Sequence, residues 1–459
     1  MSWINRKHNY AMASVIWALA WPTMLEQLMQ TAVQYIDTAM VGALGTQATA
    51  AVGATSTVNW LVGSTVSAIG IGFLAYIAKA IGADDRKAAS KASGQAVFSV
   101  LIVGTIFTLI TVSISGFVPT WMQVDPAIRD TAAKYFLIIY IPMLPRTASI
   151  IFGTVLRAVG DTKSPMRIGL AVNIINVVLN FLLIYPSRVL PILGGIPMIG
   201  AGMGVLGAAL ASAVSFTVGG ICITVKIWKH PMVSPKGQEL KPDFNILRPC
   251  LKVAIPNMLQ RFGTSLGYVA FASMVNSLGG ISTAAHTIAN TVESAFYIPG
   301  YGMQTAAATL AGNAYGARDK ERMQSLASMF IPIEILLMIL SGGLLFVSAP
   351  ALVGIFSTNQ KVIDLGVTVL RMVALSEPFY GFSIIVEGMM QGVGKTREPF
   401  IYNIIGMWGV RIVGTFICTQ ILSFGLVSAW ACMIAHNILL FILFLIIYIR
   451  GKWNPLSAV

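Results

Sequence analysis

The sequence predicts an all-α membrane protein with twelve transmembrane helices in two parallel, pseudo-symmetric six-helix lobes. Three observations carry this. Hydrophobic residues make up 56% of the 459 and charged residues only 10%, whereas a soluble domain carries about 25% charged residues. Apolar stretches of about 20 residues or more, enough to cross a bilayer, recur along the whole length. The second half also repeats the first at a constant offset.

The first apolar run, about 13–42, is also the most unusual. Trp21 to Gly45 holds no Lys or Arg yet carries Glu26 and Asp37. Glu26, Gln30, Gln34 and Asp37 fall at i, i+4, i+8 and i+11, one helical face. Carboxylates in a spanning helix cost about 2.5–3.5 kcal/mol each on insertion scales, so they normally face a wet cavity or a partner. This helix reads as the polar wall of a transport pathway. Asp37 lies in its last third, where reaching the outer interface is the bland alternative. Glu26 could bind a cation or pair with Arg261 or Arg411. Met24, Met29, Tyr35 and Trp60 would give adaptable, aromatic cavity walls.

Runs at about 47–80 and 88–116 follow, then 132–158, where Pro142 and Pro145 predict a kink near Tyr140. The run 164–186 supplies Asn173, Asn176 and Asn180, with Asn176 and Asn180 on one face. Carboxamide oxygens there suit Na⁺ or a hydrogen-bond web around a protonatable Asp, and Tyr140 could join it. Interhelical bonding alone is the structural alternative. The run 198–228 carries the small-residue stretch 207–212, ending in the Ser212 hydroxyl.

Residues 229–248, polar and rich in Pro and Lys, read as a flexible cytoplasmic linker between domains 1–228 and 249–459. Beyond it lie runs at about 247–277, 281–314, 322–348, 362–392, 399–422 and 425–449. The second half is not a chemical copy. Its charges are Arg261, Glu293, Glu334, Glu377, Glu387 and Arg411, and the arginines are plausible countercharges for the acids. Ion pairing and direct substrate contact both remain open for Glu293, Glu377, Arg261 and Arg411. Pro299 and neighbouring glycines suggest a bend after Glu293.

The repeat has an offset of 234. It carries Pro22 onto Pro256, Leu44-Gly45 onto Leu278-Gly279 and Gly82-Ala83 onto Gly316-Ala317. It also lays RAVGDTKSP (157–165) on QGVGKTREP (391–399). Six spans return the chain to its starting side, so the copies run parallel about an axis along the membrane normal. An extra outer segment, Pro186 to Gly200, interrupts the first copy.

The +13 net charge is a topology signal. Of the 30 Lys and Arg residues, 22 fall in alternate loops and at the two ends, among them Arg6 and Lys7. The positive-inside rule then predicts cytoplasmic termini, and nucleic-acid binding is not implied. Cys222, Cys250, Cys418 and Cys432 stand singly, which argues against a disulfide framework. His8, His230, His286 and His436 make no ligand spacing, so neither a metal site nor a cofactor is expected. GVGKT at 392–396 lacks the upstream glycine of a phosphate-binding loop, because residue 389 is Met. No catalytic motif appears, and an enzyme is not expected.

QYIDTAMVGALG (34–45), RAVGDTKSP, NVVLN (176–180), GAALAS (207–212) and EGMMQGVGKTREP (387–399) together resemble the multidrug and toxic compound extrusion (MATE) transporters. The resemblance covers essentially the whole chain. It implies export of small amphipathic, mainly cationic compounds in exchange for H⁺ or Na⁺. It also implies a coupling site at Asp37, Asn176, Asn180 and Ser212. The two acids of the family's second-lobe Na⁺ site would fall on Thr264 and Tyr380, a departure from its pattern that argues against a site of that kind.

The expected protein is a monomeric antiporter of a bacterial-type inner membrane, working by alternating access, with lipid as its other partner. A flippase for lipid or lipid-linked oligosaccharide, using Arg261 and Arg411 for a phosphate headgroup, is the alternative. A channel or structural protein is disfavoured by the duplicated lobes.

Overall fold

A computed structural model describes residues 3–121, 124–190 and 196–458; the side chains of Arg6, Lys7 and His8 lie outside the described set. In hydrocarbon a backbone amide has no water to bond, so apolar runs close their hydrogen bonds within helices. The first copy forms α1 (Trp3–Gly42), α2 (Thr46–Gly82), α3 (Arg86–Ile114) and a single turn, α4 (Val118–Trp121). A bent pair follows, α5 (Arg129–Tyr140) and α6 (Met143–Ala158), then α7 (Lys163–Ile184) and α8 (Val205–Trp228). The second copy forms α9 (Phe244–Asn276), α10 (Gly280–Gly316), α11 (Lys320–Phe356) and the bent pair α12 (Gln360–Ala374) and α13 (Glu377–Gly392). Next, α14 (Arg397–Ile404) continues through π-helical turns at Ile405–Ile412, α15 (Val413–Phe416) and further π-helical turns at Ile417–Ile421. The last span is α16 (Leu426–Ile449). With each bent pair and the continuous stretch Arg397–Ile421 taken as one span, and the single turn α4 set aside, these are twelve helical segments among the described residues.

Seven of these helices are long and apolar enough to cross a membrane alone, and the bent pairs raise the number to nine. The remaining long helices, α1, α9 and α10, are less apolar. They bury Glu26 and Glu293 and hold Asp37 and Arg261 partly buried.

The duplication is visible in the backbone. Gly45 and Gly279 have φ of 114° and 102°, Asp84 and Arg318 of 55° and 53°, Gly160 and Gly394 of 83° and 81°. Each pair is 234 residues apart, so both copies turn at the same places in the same left-handed conformation. The bends also correspond: 50° between α5 and α6, 51° between α12 and α13. Proline accounts for both, since it lacks the amide hydrogen and clashes with the preceding turn. Pro142 stands at the first break, and Pro378 opens α13 after the second, a break the sequence reading left as one span. At Pro299, where a bend is expected, α10 runs on without a break.

The extra segment of the first copy is a β-hairpin, β1 (Pro186–Leu190) antiparallel to β2 (Ile196–Ala201), with Pro186 opposite Ala201 and Leu190 opposite Ile196.

The chain forms two compact units that interleave relative to chain order. One contains the chain up to Gln27, Leu74–Asp85 and everything from Pro249 onward. The other contains Leu28–Phe73 and Arg86–Arg248. The first part of α1 joins the former because it packs on α10. Thr23 Oγ1 donates to the Gly302 carbonyl at 3.0 Å, and a Cβ at Gly302 would lie 2.5 Å from the Met24 nitrogen.

In the other unit, α8 packs on α5, α6 and α7. Added Cβ atoms at Gly207 and Gly220 would lie 2.5 Å from the Leu183 oxygen and 2.3 Å from the Pro145 oxygen. Small residues permit this close approach.

The segment 229–248 is not a free tether. Gln95 on α3 donates to the Lys241 carbonyl at 2.8 Å and accepts from the Asp243 amide at 2.9 Å. Lys91 Nζ lies 2.6 Å from Asp243 Oδ2, and Ser90 donates to the Ser234 carbonyl at 2.6 Å. Composition suggested flexibility, but these side chains from one face of α3 fasten the segment.

Candidate functional site

The helical period alone puts Asn176 and Asn180 one turn apart, and their burial, at 6% and 1% exposure, turns that face inward. The C-terminal half of α1 lies against it, pinned where Tyr185 donates to the Met40 carbonyl at 2.9 Å. Asp37 is thereby brought to the amides. Asn180 Nδ2 donates to Asp37 Oδ1 at 2.5 Å.

The Asn176 amide faces the same carboxylate. Its nitrogen turns inward and lies 2.8 and 3.2 Å from Asp37 Oδ1 and Oδ2, which satisfies a bare carboxylate. The other end of the amide lies 3.4 Å from Ser212 Oγ. Four sequence-predicted residues thus meet on α1, α7 and α8.

Other expectations divide. Gln30, Gln34 and Tyr35 are exposed, whereas Glu26 is buried. The proposed polar face of α1 is therefore split: Glu26 belongs to one compact unit, and Gln30, Gln34 and Asp37 to the other. Tyr140 does not hydrogen-bond the Asp37 group; its hydroxyl donates to Asn59 Oδ1 at 3.4 Å. Arg146, missed from sequence, donates to the same oxygen at 2.6 Å and stacks its guanidinium 4.6 Å from the Phe216 ring centre. A lone cation directly after two prolines in an apolar run was the available signal.

In the second copy, the expected pairing of arginines with acids is not formed within 4.0 Å among the described residues. Arg261 Nε donates to Asn257 Oδ1 at 2.9 Å. Arg411, on a π-helical turn, stacks 4.3 Å from the Phe271 ring centre and 4.8 Å from that of Tyr268. Aromatic faces can hold a desolvated guanidinium, and that contact replaces the ion pair. Glu293 and Glu377 are buried.

Glu387 was noted as a charge but not as a site, yet three carboxamides converge on it. Gln260 and Gln391 donate to Oε1 at 2.8 and 3.1 Å, and Asn403 to Oε2 at 3.3 Å. Tyr380, at the place of the resembling family's tenth-span acid, shares a 2.9 Å hydroxyl contact with Tyr301. Among the described residues, no group of three or more His, Cys, Asp or Glu is placed to hold a metal ion.

The family profile MatE matches residues 22–182 and again 256–417, two copies beginning 234 residues apart. The chain belongs to the MATE family. MATE proteins are transporters, and this chain is a multi-pass membrane protein of that kind. It is 28% identical over 436 residues to "Probable multidrug resistance protein NorM" of Thermotoga maritima, covering 95% of this chain and 92% of the relative. It is 24% identical to "Probable multidrug resistance protein YoeA" of Bacillus subtilis, covering 89% and 87%. A solved MATE structure, a complex with MaL6, superposes with a TM-score of 0.89 at 22% identity, covering 97% of each chain. A MOP superfamily transporter from Pyrococcus furiosus, described as having a binding pocket of reverse polarity, superposes at 0.86 and 22% identity, with 96% coverage of each. These likenesses at 22% identity establish the MATE fold.

Proposed function

We propose that this MATE protein is a multidrug efflux antiporter, exporting small amphipathic organic cations in exchange for H⁺ or Na⁺ by alternating access. The relatives named as multidrug resistance proteins support the efflux reading. The single observation that carries the exchange is the carboxyl of Asp37 held by the amides of Asn180 and Asn176. The empty carboxylate is held by these amide donors, and a bound H⁺ or Na⁺ competes with them for the same oxygens. Exchange then requires that cation and cargo binding oppose each other energetically, a reciprocal linkage.

The proposed setting is a bacterial-type inner membrane, with both termini cytoplasmic and the protein acting as a monomer. The proposed moving bodies are the six-helix lobes 1–228 and 249–459, joined by 229–248. Ethidium efflux from proteoliposomes tests the reading, with a pH gradient or a Na⁺ gradient imposed separately. Asp37→Asn should abolish efflux under the driving gradient while leaving expression and thermal stability near wild type. Normal efflux by that variant would falsify the role of Asp37.

A further inference from the structure

Glu334 sits midway along α11 and is the most enclosed acid in the chain. Its exposure is 0%, and neither carboxyl oxygen has a hydrogen-bond partner. The space it fills exists because two facing residues lack side chains. A Cβ at Gly300 of α10 would stand 2.7 Å from Glu334 Oε1, and one at Gly381 of α13 would stand 3.3 Å from its Cγ. The walls beside it are apolar: Met338 and Ile384 border the same gap.

The groups facing Glu334 are few. α11 packs on α10, α12 and α13. From α13 comes Glu377, one turn before Gly381, which feels the charge of Glu334; Tyr380 lies on the same helix, and Glu293, Tyr297 and Tyr301 on α10. The hydroxyls of Tyr301 and Tyr380 are engaged with each other. Glu377 is 2% exposed with Oε2 unpartnered, and it is close enough to Glu293 and Glu334 for their charges to oppose its own. The charged residues of α12, Lys361, Asp364 and Arg371, are exposed. The one buried cation of this region, Arg411, acts on Glu293 and is stacked on aromatic rings.

An ionised carboxylate with no partner in such surroundings is strongly disfavoured. A metal cation would need several oxygen ligands around it, and methionine, isoleucine and two glycines supply none. A proton needs neither space nor further ligands. We propose that Glu334 is a proton-carrying site of the second copy, loaded with H⁺ and not Na⁺, and that it gives up this proton when cargo binds. Glu377 is its nearest relay, through which the proton reaches Glu293. The second half of this proposal, release on cargo binding, rests on the antiport reading; the first half does not.

Infrared difference spectroscopy on purified protein at pH 7 tests both halves. The carbonyl band of protonated carboxyl groups should lose a component in Glu334→Gln, keep it in Asp37→Asn, and stay unchanged when Na⁺ replaces a bulky cation. Adding ethidium should diminish that component in wild type. Should Glu334→Gln not fold, Glu334→Asp should shift the component instead, because its shorter arm meets different walls. A band indifferent to either substitution, or a component removed by Na⁺, overturns the assignment of Glu334 as a proton site; no response to ethidium overturns release on cargo binding. Because the band is read without transport, loss of efflux in Asp37→Asn leaves this result separate.

Discussion

Gly82 on α2 and Gly316 on α10, equivalent residues of the two copies, each receive the backbone of the other's helix. A Cβ at Gly82 would lie 1.9 Å from the Asn313 oxygen, and one at Gly316 would lie 1.9 Å from the Lys79 oxygen. Asn313 and Lys79 are themselves equivalent, so the crossing is reciprocal about the pseudo-twofold axis. Lys79 further caps it, with Nζ 4.9 Å from the Tyr315 ring centre. Neither glycine can accept a methyl group without the helices separating. Gly82→Ala and Gly316→Ala should each destabilise the protein by about 1–3 kcal/mol, the usual cost of overpacking. Thermal unfolding in detergent should show similar losses for both. The double variant should lose less than the sum, since one separation of the helices accommodates both.

Asn180 holds Asp37 through a hydrogen bond to a charged group, worth about 1.5–3 kcal/mol. Asn180→Leu should therefore favour the cation-loaded form by about 10- to 100-fold and, by slowing release of the cation, lower ethidium efflux. Ser212→Ala touches only the outer side of Asn176 and should have a much smaller effect. Parallel efflux assays on the two variants, normalised to protein in the membrane, decide the order.

Glu387 accepts from Gln260, Gln391 and Asn403, side chains of three different helical segments. Removing the acceptor leaves those amides short of partners, at about 1–3 kcal/mol for a buried one. Glu387→Ala should lower the melting temperature clearly, whereas Glu387→Gln, which keeps an oxygen, should lower it less. Equal melting of the two would show that the carboxamides find other partners.

His230 lies in the fastened segment after α8, with Nε2 3.9 Å from Asp161 Oδ2 and Lys226 also 3.7 Å from that oxygen. Burial holds its pKa below the ordinary histidine value, against the pull of Asp161. A depressed histidine folds neutral. It favours the folded segment fully above about pH 6.5, the unfolded value, and that contribution is lost as pH falls toward the folded pKa. Hydrogen exchange over residues 229–248, corrected for intrinsic rates, should thus quicken between pH 7.5 and pH 5.5. His230→Gln should flatten the dependence.

Cys418 and Cys432 bring their sulfurs to 4.0 Å across the last two spans. Sequence spacing argued against a disulfide framework, and all four cysteines are free thiols. A side-chain rotation could nonetheless join this pair, whose bond length is about 2.05 Å. Mild oxidation of purified protein should consume two of the four thiols, and reduction should restore them. Four reactive thiols after oxidation would mean that the helices hold the pair apart.

Much of this molecule was legible before any coordinates. The count of spans, their parallel duplication and the offset of 234 follow from apolar length and from residues matched along the chain. Both properties are local and one-dimensional. The bend at Pro142 was legible for the same reason, because proline acts on its own turn. So was the inward face of Asn176 and Asn180, since one helix period sets it.

Tertiary structure decided what those faces meet. That Asp37 touches Asn180 while Glu26 joins the other compact unit depends on how α1 is divided between α7 and α10. Nothing within α1 encodes that division. That Arg411 stacks on Phe271 and Tyr268, leaving the acids unpaired, depends on the π-helical turns of its span and on aromatics about 140 residues away in sequence. The enclosure of Glu334 depends on the absence of side chains at Gly300 and Gly381, on two other helices. A sequence lists charges, but whether a charge is solvated, paired or sealed in is set by neighbours that only folding supplies.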